Sequence, residues 1–124
     1  MKKSKGQLED EISRAIIKFE KEYMGRGPLE TKTYIIEDLI LVRLKGVLTQ
    51  AEYQLAKSEK NEKGRELIKQ VRVELIEKGR PLLEQAIEGI VGKKIKSLHT
   101  DISTVTGERI IVFTLRGPLE FHDV

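Results

Sequence analysis

The chain has 124 residues, the length of one domain, and its 23 Lys and Arg against 20 Asp and Glu leave a net charge of +3. Lys2, Lys3 and Lys5 supply that whole excess, so the body from residue 6 onward is balanced at 20 against 20. The basic pI is therefore a weak pointer to nucleic acid or an acidic membrane. No apolar run is long enough to span a bilayer, and the N-terminus meets Gln7-Leu8-Glu9-Asp10-Glu11 without the apolar core of a secretory signal. Zero Cys excludes disulfides, thiolate metal sites and thiol catalysis, and with no export signal it leads us to expect a cytoplasmic protein. At 39% hydrophobic residues the chain has enough apolar surface for one core, built from Ile, Leu and Val because Trp is absent. The richness in Lys and Glu with no Cys also fits a thermophile bias.

The elements follow in chain order. Leu8, Ile12, Ile16, Phe19 and Tyr23 recur at helical spacing and predict a helix over residues 7–24, stopped by Gly25-Arg26-Gly27-Pro28. Glu9, Asp10 and Glu11 suit its positive end, and Asp10 with Arg14 forms an i,i+4 pair. Residues 31–36 alternate and are β-branched, while Leu39-Ile40-Leu41-Val42-Arg43-Leu44 is nearly continuous and reads as an interior strand covered on both faces. Only Glu37-Asp38 separates them, which predicts a tight hairpin. Thr49-Gln50-Ala51-Glu52 is a capping box, with Leu48 and Tyr53 as its staple, and starts a short helix to about Ser58. Residues 59–64 read as its break.

From Arg65 to Val91 a long helical pattern carries two apolar stripes. One contains Leu67, Val71, Leu75, Leu82, Ala86 and Ile90; the other contains Ile68, Ile76, Leu83, Ile87 and Val91. Gly79-Arg80-Pro81 predicts a kink or a restart within it. A second hairpin follows, residues 93–102 and 109–115, turning at Thr104-Val105-Thr106-Gly107. Residues 1–6 read as a basic tail and 120–124 as a frayed one. Leu39 to Leu48 aligns with Ile110 to Leu119, both ending Leu, basic, Gly, any residue, Leu, a faint echo of two similar halves. The fold expected is α+β: helix, hairpin, helices, hairpin, with a four-stranded antiparallel sheet packed against a long kinked helix.

Several segments together resemble the small bacterial MpsC-like family. They are Gly25-Arg26-Gly27-Pro28, the run from Tyr34 ending Val42-Arg43-Leu44-Lys45-Gly46-Val47-Leu48-Thr49, Gln54-Leu55-Ala56-Lys57, Gly64-Arg65-Glu66-Leu67, Arg80-Pro81, and His99 through Leu115. The resemblance covers nearly the whole chain as a single domain. The family is named for a sodium-translocating, membrane-potential-generating system, but it implies no transport residues here. A chain with no membrane span cannot itself carry an ion across a bilayer, so the resemblance implies at most an accessory role.

Candidate sites are few. His99, Asp101 and Ser103 share one strand face, yet each step of two residues spans about 6.5–7 Å, too far for a hydrogen-bonded nucleophile relay. A solvated strand face ending in a turn is the simpler reading, and a metal site would need further ligands, with His122 the only other His. Gly25-Arg26-Gly27-Pro28 follows a helix rather than preceding one, the wrong order for a phosphate cradle. Arg43 within an apolar strand and Arg80 beside Pro81 must be paired or stand at an edge or interface. Lys93, Lys94 and Lys96 have no interleaved aromatic residues for stacking on nucleic acid.

No catalytic constellation, metal or cofactor is therefore expected. Surplus apolar surface on the long helix points to self-association, most simply a homodimer, or to another protein partner. The competing class is a binder of nucleic acid or a small anionic ligand through Arg26, Arg43, Arg80 and the lysines. Convergence of those arginines on one cleft would favour it.

Overall fold

Ser4 and Gln7 decide where the chain first becomes helical. The Ser4 hydroxyl accepts from the Gln7 amide and the Gln7 side chain accepts from the Ser4 amide, a reciprocal cap that starts the helix before the apolar stripe begins. In the computed structural model, which describes residues 3–57 and 62–121, the order is α1 (Lys5–Tyr23), β1 (Glu30–Ile36), β2 (Leu39–Lys45), α2 (Gln50–Ala56), α3 (Glu62–Val91), β3 (Ile95–Ile102) and β4 (Arg109–Leu115). This is the α+β arrangement that the sequence predicts, with three helices and one four-stranded antiparallel sheet. Lys3 and Lys5 stand at the head of α1 rather than in a tail, and Lys3 pairs with Glu11 at 2.5 Å. The Asp10–Arg14 pair forms at 2.7 Å.

The strands lie in the order β1-β2-β4-β3. Glu37 takes φ 56°, the left-handed geometry that a two-residue turn between β1 and β2 demands. The two hairpins meet along β2 and β4, where Leu41 pairs with Val112, Ile40 with Phe113 and Val42 with Ile111. The echo aligns Leu41 with Val112, and the ladder pairs those same two residues. That is the register two related hairpins adopt about a local two-fold passing between Leu41 and Val112. Both outer strands receive a carboxylate from the helix before them: Glu9 accepts from the Ile35 amide at 2.9 Å and Glu88 from the Ile95 amide at 2.8 Å. Each blunts an edge that would otherwise invite pairing.

The core lies between the helices and one sheet face. Leu8, Ile12, Ile16 and Phe19 from α1, and Ile68, Ile76, Leu83 and Ile87 from α3, close over Ile35, Ile40, Val42, Leu44, Ile111 and Phe113. Two expectations need correction here. β2, expected to be covered on both faces, is covered on one only, and β4 is built the same way: burial alternates along both strands, with the fully buried positions on the side of the helices. Their apolar runs reflect a core face alternating with an uncovered apolar face. Glu62, Lys63 and Gly64 do not break the chain but open α3, and Gly64 is buried; residues 58–61 lie outside the described residues.

Helix α3 runs without a restart through Pro81, which adds no break in thirty residues. Pro81 and Glu77 are both exposed, so the carbonyl deprived of a donor can be solvated. Of the two stripes, the one with Ile68, Ile76, Leu83 and Ile87 is buried; Leu67 and Leu82 of the other are 52% and 57% exposed.

Gly79 sets how closely α1 and α3 approach. A Cβ there would stand 2.7 Å from Cζ of Phe19 and 2.9 Å from Cε1 of Tyr23, two rings stacked at 5.2 Å. Gly79→Ala should destabilise by about 1–3 kcal/mol through overpacking, although alanine is the better helix former. Urea denaturation checks this, and a gain in stability would show that the two helices have slack.

Candidate functional site

Four charged side chains from four elements meet inside the protein. Glu20 in the last turns of α1, Arg72 in the middle of α3 and Arg109 at the start of β4 are 0%, 3% and 2% exposed. The Arg109 Nη1 donates to Glu20 Oε1 at 3.2 Å. Arg72 donates from Nε and Nη2 to the two oxygens of Glu52, at 3.0 and 2.6 Å, and from Nη2 to the Val47 carbonyl at 2.9 Å. Glu52 does this while holding the capping box, its Oε1 accepting from the Thr49 amide at 2.9 Å. One carboxylate thus starts α2 and fastens it to α3. Leu48 is fully buried and Tyr53 packs partly against the core, as the staple requires.

The two pairs are unequal. Arg72–Glu52 is bidentate, the stronger geometry. Arg109–Glu20 is held by one hydrogen bond, and Glu20 Oε2 and Arg109 Nε have no partner among the described residues. Burial pushes the Glu20 carboxyl above its ordinary 4.5, an effect that Arg109 and then Arg72 only partly offset. Burial likewise lowers the Arg109 guanidinium. For Glu52 burial acts upward too, but the Arg72 hydrogen bond and the Thr49 amide outweigh it and the carboxyl falls below 4.5.

These shifts act on stability in opposite directions. A raised folded pKa gives Glu20 a contribution complete below 4.5 and lost as pH rises through the folded value. A lowered one gives Glu52 a contribution present above 4.5 and lost as pH falls through its folded value. Measured by urea midpoints, wild type should lose stability relative to Glu20→Gln as pH rises above 4.5. Relative to Glu52→Gln it should lose stability as pH falls below 4.5. Slopes of the same sign for both would contradict this assignment.

The residues that the sequence singled out lie elsewhere. Arg26, in the turn after α1, donates from Nη1 to the Leu48 carbonyl at 3.1 Å. Arg43, on the uncovered side of the sheet, pairs with Glu108 at 2.7 Å, which holds its guanidinium above the ordinary value. Arg80 pairs with Glu84 at 2.5 Å along α3, with the same consequence. The three do not line one cleft, since α3 and the uncovered sheet face are on opposite sides of the core. His99 Nε2 is 3.2 Å from the Ser97 hydroxyl, while Asp101 accepts from the Ile102 amide at 2.9 Å and lies 3.7 Å from Lys69 Nζ. Ser103 accepts from the Thr106 amide at 3.2 Å and serves the turn. His122 lies outside the described residues.

What several of these residues share is the open face of the sheet. Register and alternation place Ile36, Leu39, Thr114 and Ser97 in one row across it, then Tyr34, Leu41, Val112 and His99, then Lys32, Arg43, Ile110 and Asp101. The middle two columns are apolar apart from Arg43 and Thr114. Beyond these rows the first two columns end in Glu30 and Lys45, which lie 3.7 Å apart, while the last column ends in Asp101. Tyr34 and Ile36 are exposed, at 41% and 54%.

Sequence reasoning missed Glu20, Arg72 and Arg109, although each falls on a stripe already recognised. Arg72 lies midway between Ile68 and Ile76 on the buried stripe of α3, Glu20 follows Ile16 by four, and Arg109 precedes Ile111 by two on the core face. A charged residue in phase with a buried stripe is the signal.

Over residues 4–117 the chain matches the family described as Na+-translocating membrane potential-generating system (MpsC). It is 51% identical over 120 residues to the Uncharacterized protein YbcI of Bacillus subtilis (strain 168), covering 97% of this chain and 94% of that relative. No solved structure matches.

Proposed function

The chain belongs to the MpsC family, and from that premise we propose that it is a non-enzymatic interaction protein, an accessory that works by self-association. The family's description concerns sodium translocation. Among the described residues no helix is long and apolar enough to cross a membrane, so a role in such a system would be exercised on other proteins.

The observation that carries this reading is where the fold leaves its large apolar side chains. Leu67, Val71 and Leu82 stand exposed along α3, and Tyr34 and Ile36 on the open sheet face, while the buried Arg72 and Arg109 serve Glu52, Val47 and Glu20 within the protein. Exposed apolar surface of this kind marks contact with another protein. Static light scattering at micromolar concentration tests it. A mass near twice 14.2 kDa supports the reading, and a mass of 14.2 kDa at every concentration overturns self-association.

A further inference from the structure

Resting on that reading, we infer that the surface that takes the second copy is the open face of the sheet rather than α3. The two copies lie face to face about a two-fold axis parallel to the strands. Such an axis sets β1 over the partner's β3 and β2 over its β4. Within each row of the face, the first column then meets the last and the two middle columns meet each other.

The charges fit that operation. Lys32 of each copy faces Asp101 of the other, and the symmetry makes the contact twice. Leu41 faces Val112 and Tyr34 faces His99, so the apolar columns close on each other between the charged ones. Arg43 enters the contact already paired with Glu108 at 2.7 Å and Lys45 with Glu30 at 3.7 Å, while Asp101, 3.7 Å from its own Lys69, gains Lys32 of the other copy as a second cation. Sheets packed face to face are separated by about 10 Å, a gap that a lysine and an aspartate side chain bridge.

Area places the contact in a size class. Four strands of about seven residues span about 19 Å by 23 Å, or about 900 Å² for the two copies before side-chain relief is counted. Specific interfaces begin near about 1,000 Å² in total, and the face is of that order. An interface at that lower bound belongs with the small, transient class, so the dimer should exchange with monomer.

Sedimentation velocity of the full chain across the micromolar range tests this with surface variants that leave the core untouched. Wild type should show monomer–dimer exchange. Lys32→Asp and Asp101→Lys should each weaken it about tenfold or more, since like charges would then face each other twice. The double variant Lys32→Asp with Asp101→Lys should restore it, and Leu67→Lys with Leu82→Lys should leave it unchanged. A wild-type dimer insensitive to both single variants overturns the sheet face while leaving self-association standing, as does a dimer lost in the α3 variant alone. A wild type that stays monomeric overturns both.

Discussion

Replacing Arg109 by alanine is expected to cost about 3–5 kcal/mol of folding stability, the range for removing one member of a buried ion pair. The cost comes less from the lost hydrogen bond than from what is left behind. Glu20 is fully buried and already has one oxygen without a partner among the described residues; without Arg109 its nearest countercharge is Arg72, which is occupied by Glu52. Desolvation raises the Glu20 pKa even with Arg109 in place, so in the variant the carboxyl should titrate higher still. Urea denaturation of Arg109→Ala should show the loss grow from acid toward neutral pH. The double variant Glu20→Leu with Arg109→Leu should recover most of the loss, because two apolar side chains replace a pair whose attraction barely repays its burial. A double variant as unstable as the single one would show that the pair itself, and not the stranded charge, carries the stability.

Arg72→Ala is the second large effect, expected at about 2–4 kcal/mol. Three hydrogen bonds of 2.6 to 3.0 Å go at once, including the one to the Val47 carbonyl. The loss is smaller than at Arg109 because the Glu52 side chain is 20% exposed and water can take over part of its solvation. Its effect should also be local. α2 has seven residues and none of them is buried, so its position depends on Glu52, Tyr53 and the contact with α3. Amide exchange in residues 50–56 should accelerate much more than in β2 or β4. Uniform acceleration across the sheet would show that Arg72 supports the whole core rather than the docking of α2.

Much of the fold was legible because its strongest signals are local. The Thr49-Gln50-Ala51-Glu52 box, the two-residue turn at Glu37-Asp38 and the 3–4 spacing of Leu8 to Tyr23 each specify backbone conformation within a few residues. The errors arose where a local pattern has two causes. A continuous apolar run such as Leu39 to Leu44 is written by a strand covered on both faces and equally by one whose second face is left open. Gly64 looked like a breaker because glycine weakens a helix, but here it is a buried position within α3. Pro81 sits on the solvent side, where the helix tolerates the missing donor.

The candidate site was hidden for a different reason. Arg26, Arg43 and Arg80 stand out as charges out of place, yet each has a partner: Arg43 and Arg80 pair with Glu108 and Glu84 near the surface, and Arg26 reaches the carbonyl of the buried Leu48. The charges that are deeply out of place, Glu20, Arg72 and Arg109, looked ordinary in a chain so rich in Lys, Arg and Glu. Only their phase with the buried stripes distinguishes them. The Glu20–Arg109 pair is 89 residues apart in sequence, and no local pattern reports it.

The sheet-face dimer is tested most directly by mixing two variants that each pair only weakly with themselves. In a dimer of Lys32→Asp the introduced carboxylate faces Asp101 of the other copy. In a dimer of Asp101→Lys the introduced ammonium faces Lys32. In the mixed pair every such contact joins opposite charges. Sedimentation at equal micromolar concentrations should give mainly monomer for each variant alone and a dimer as strong as that of wild type in the mixture. A mixture that stays monomeric while wild type dimerises would contradict the sheet-face assembly.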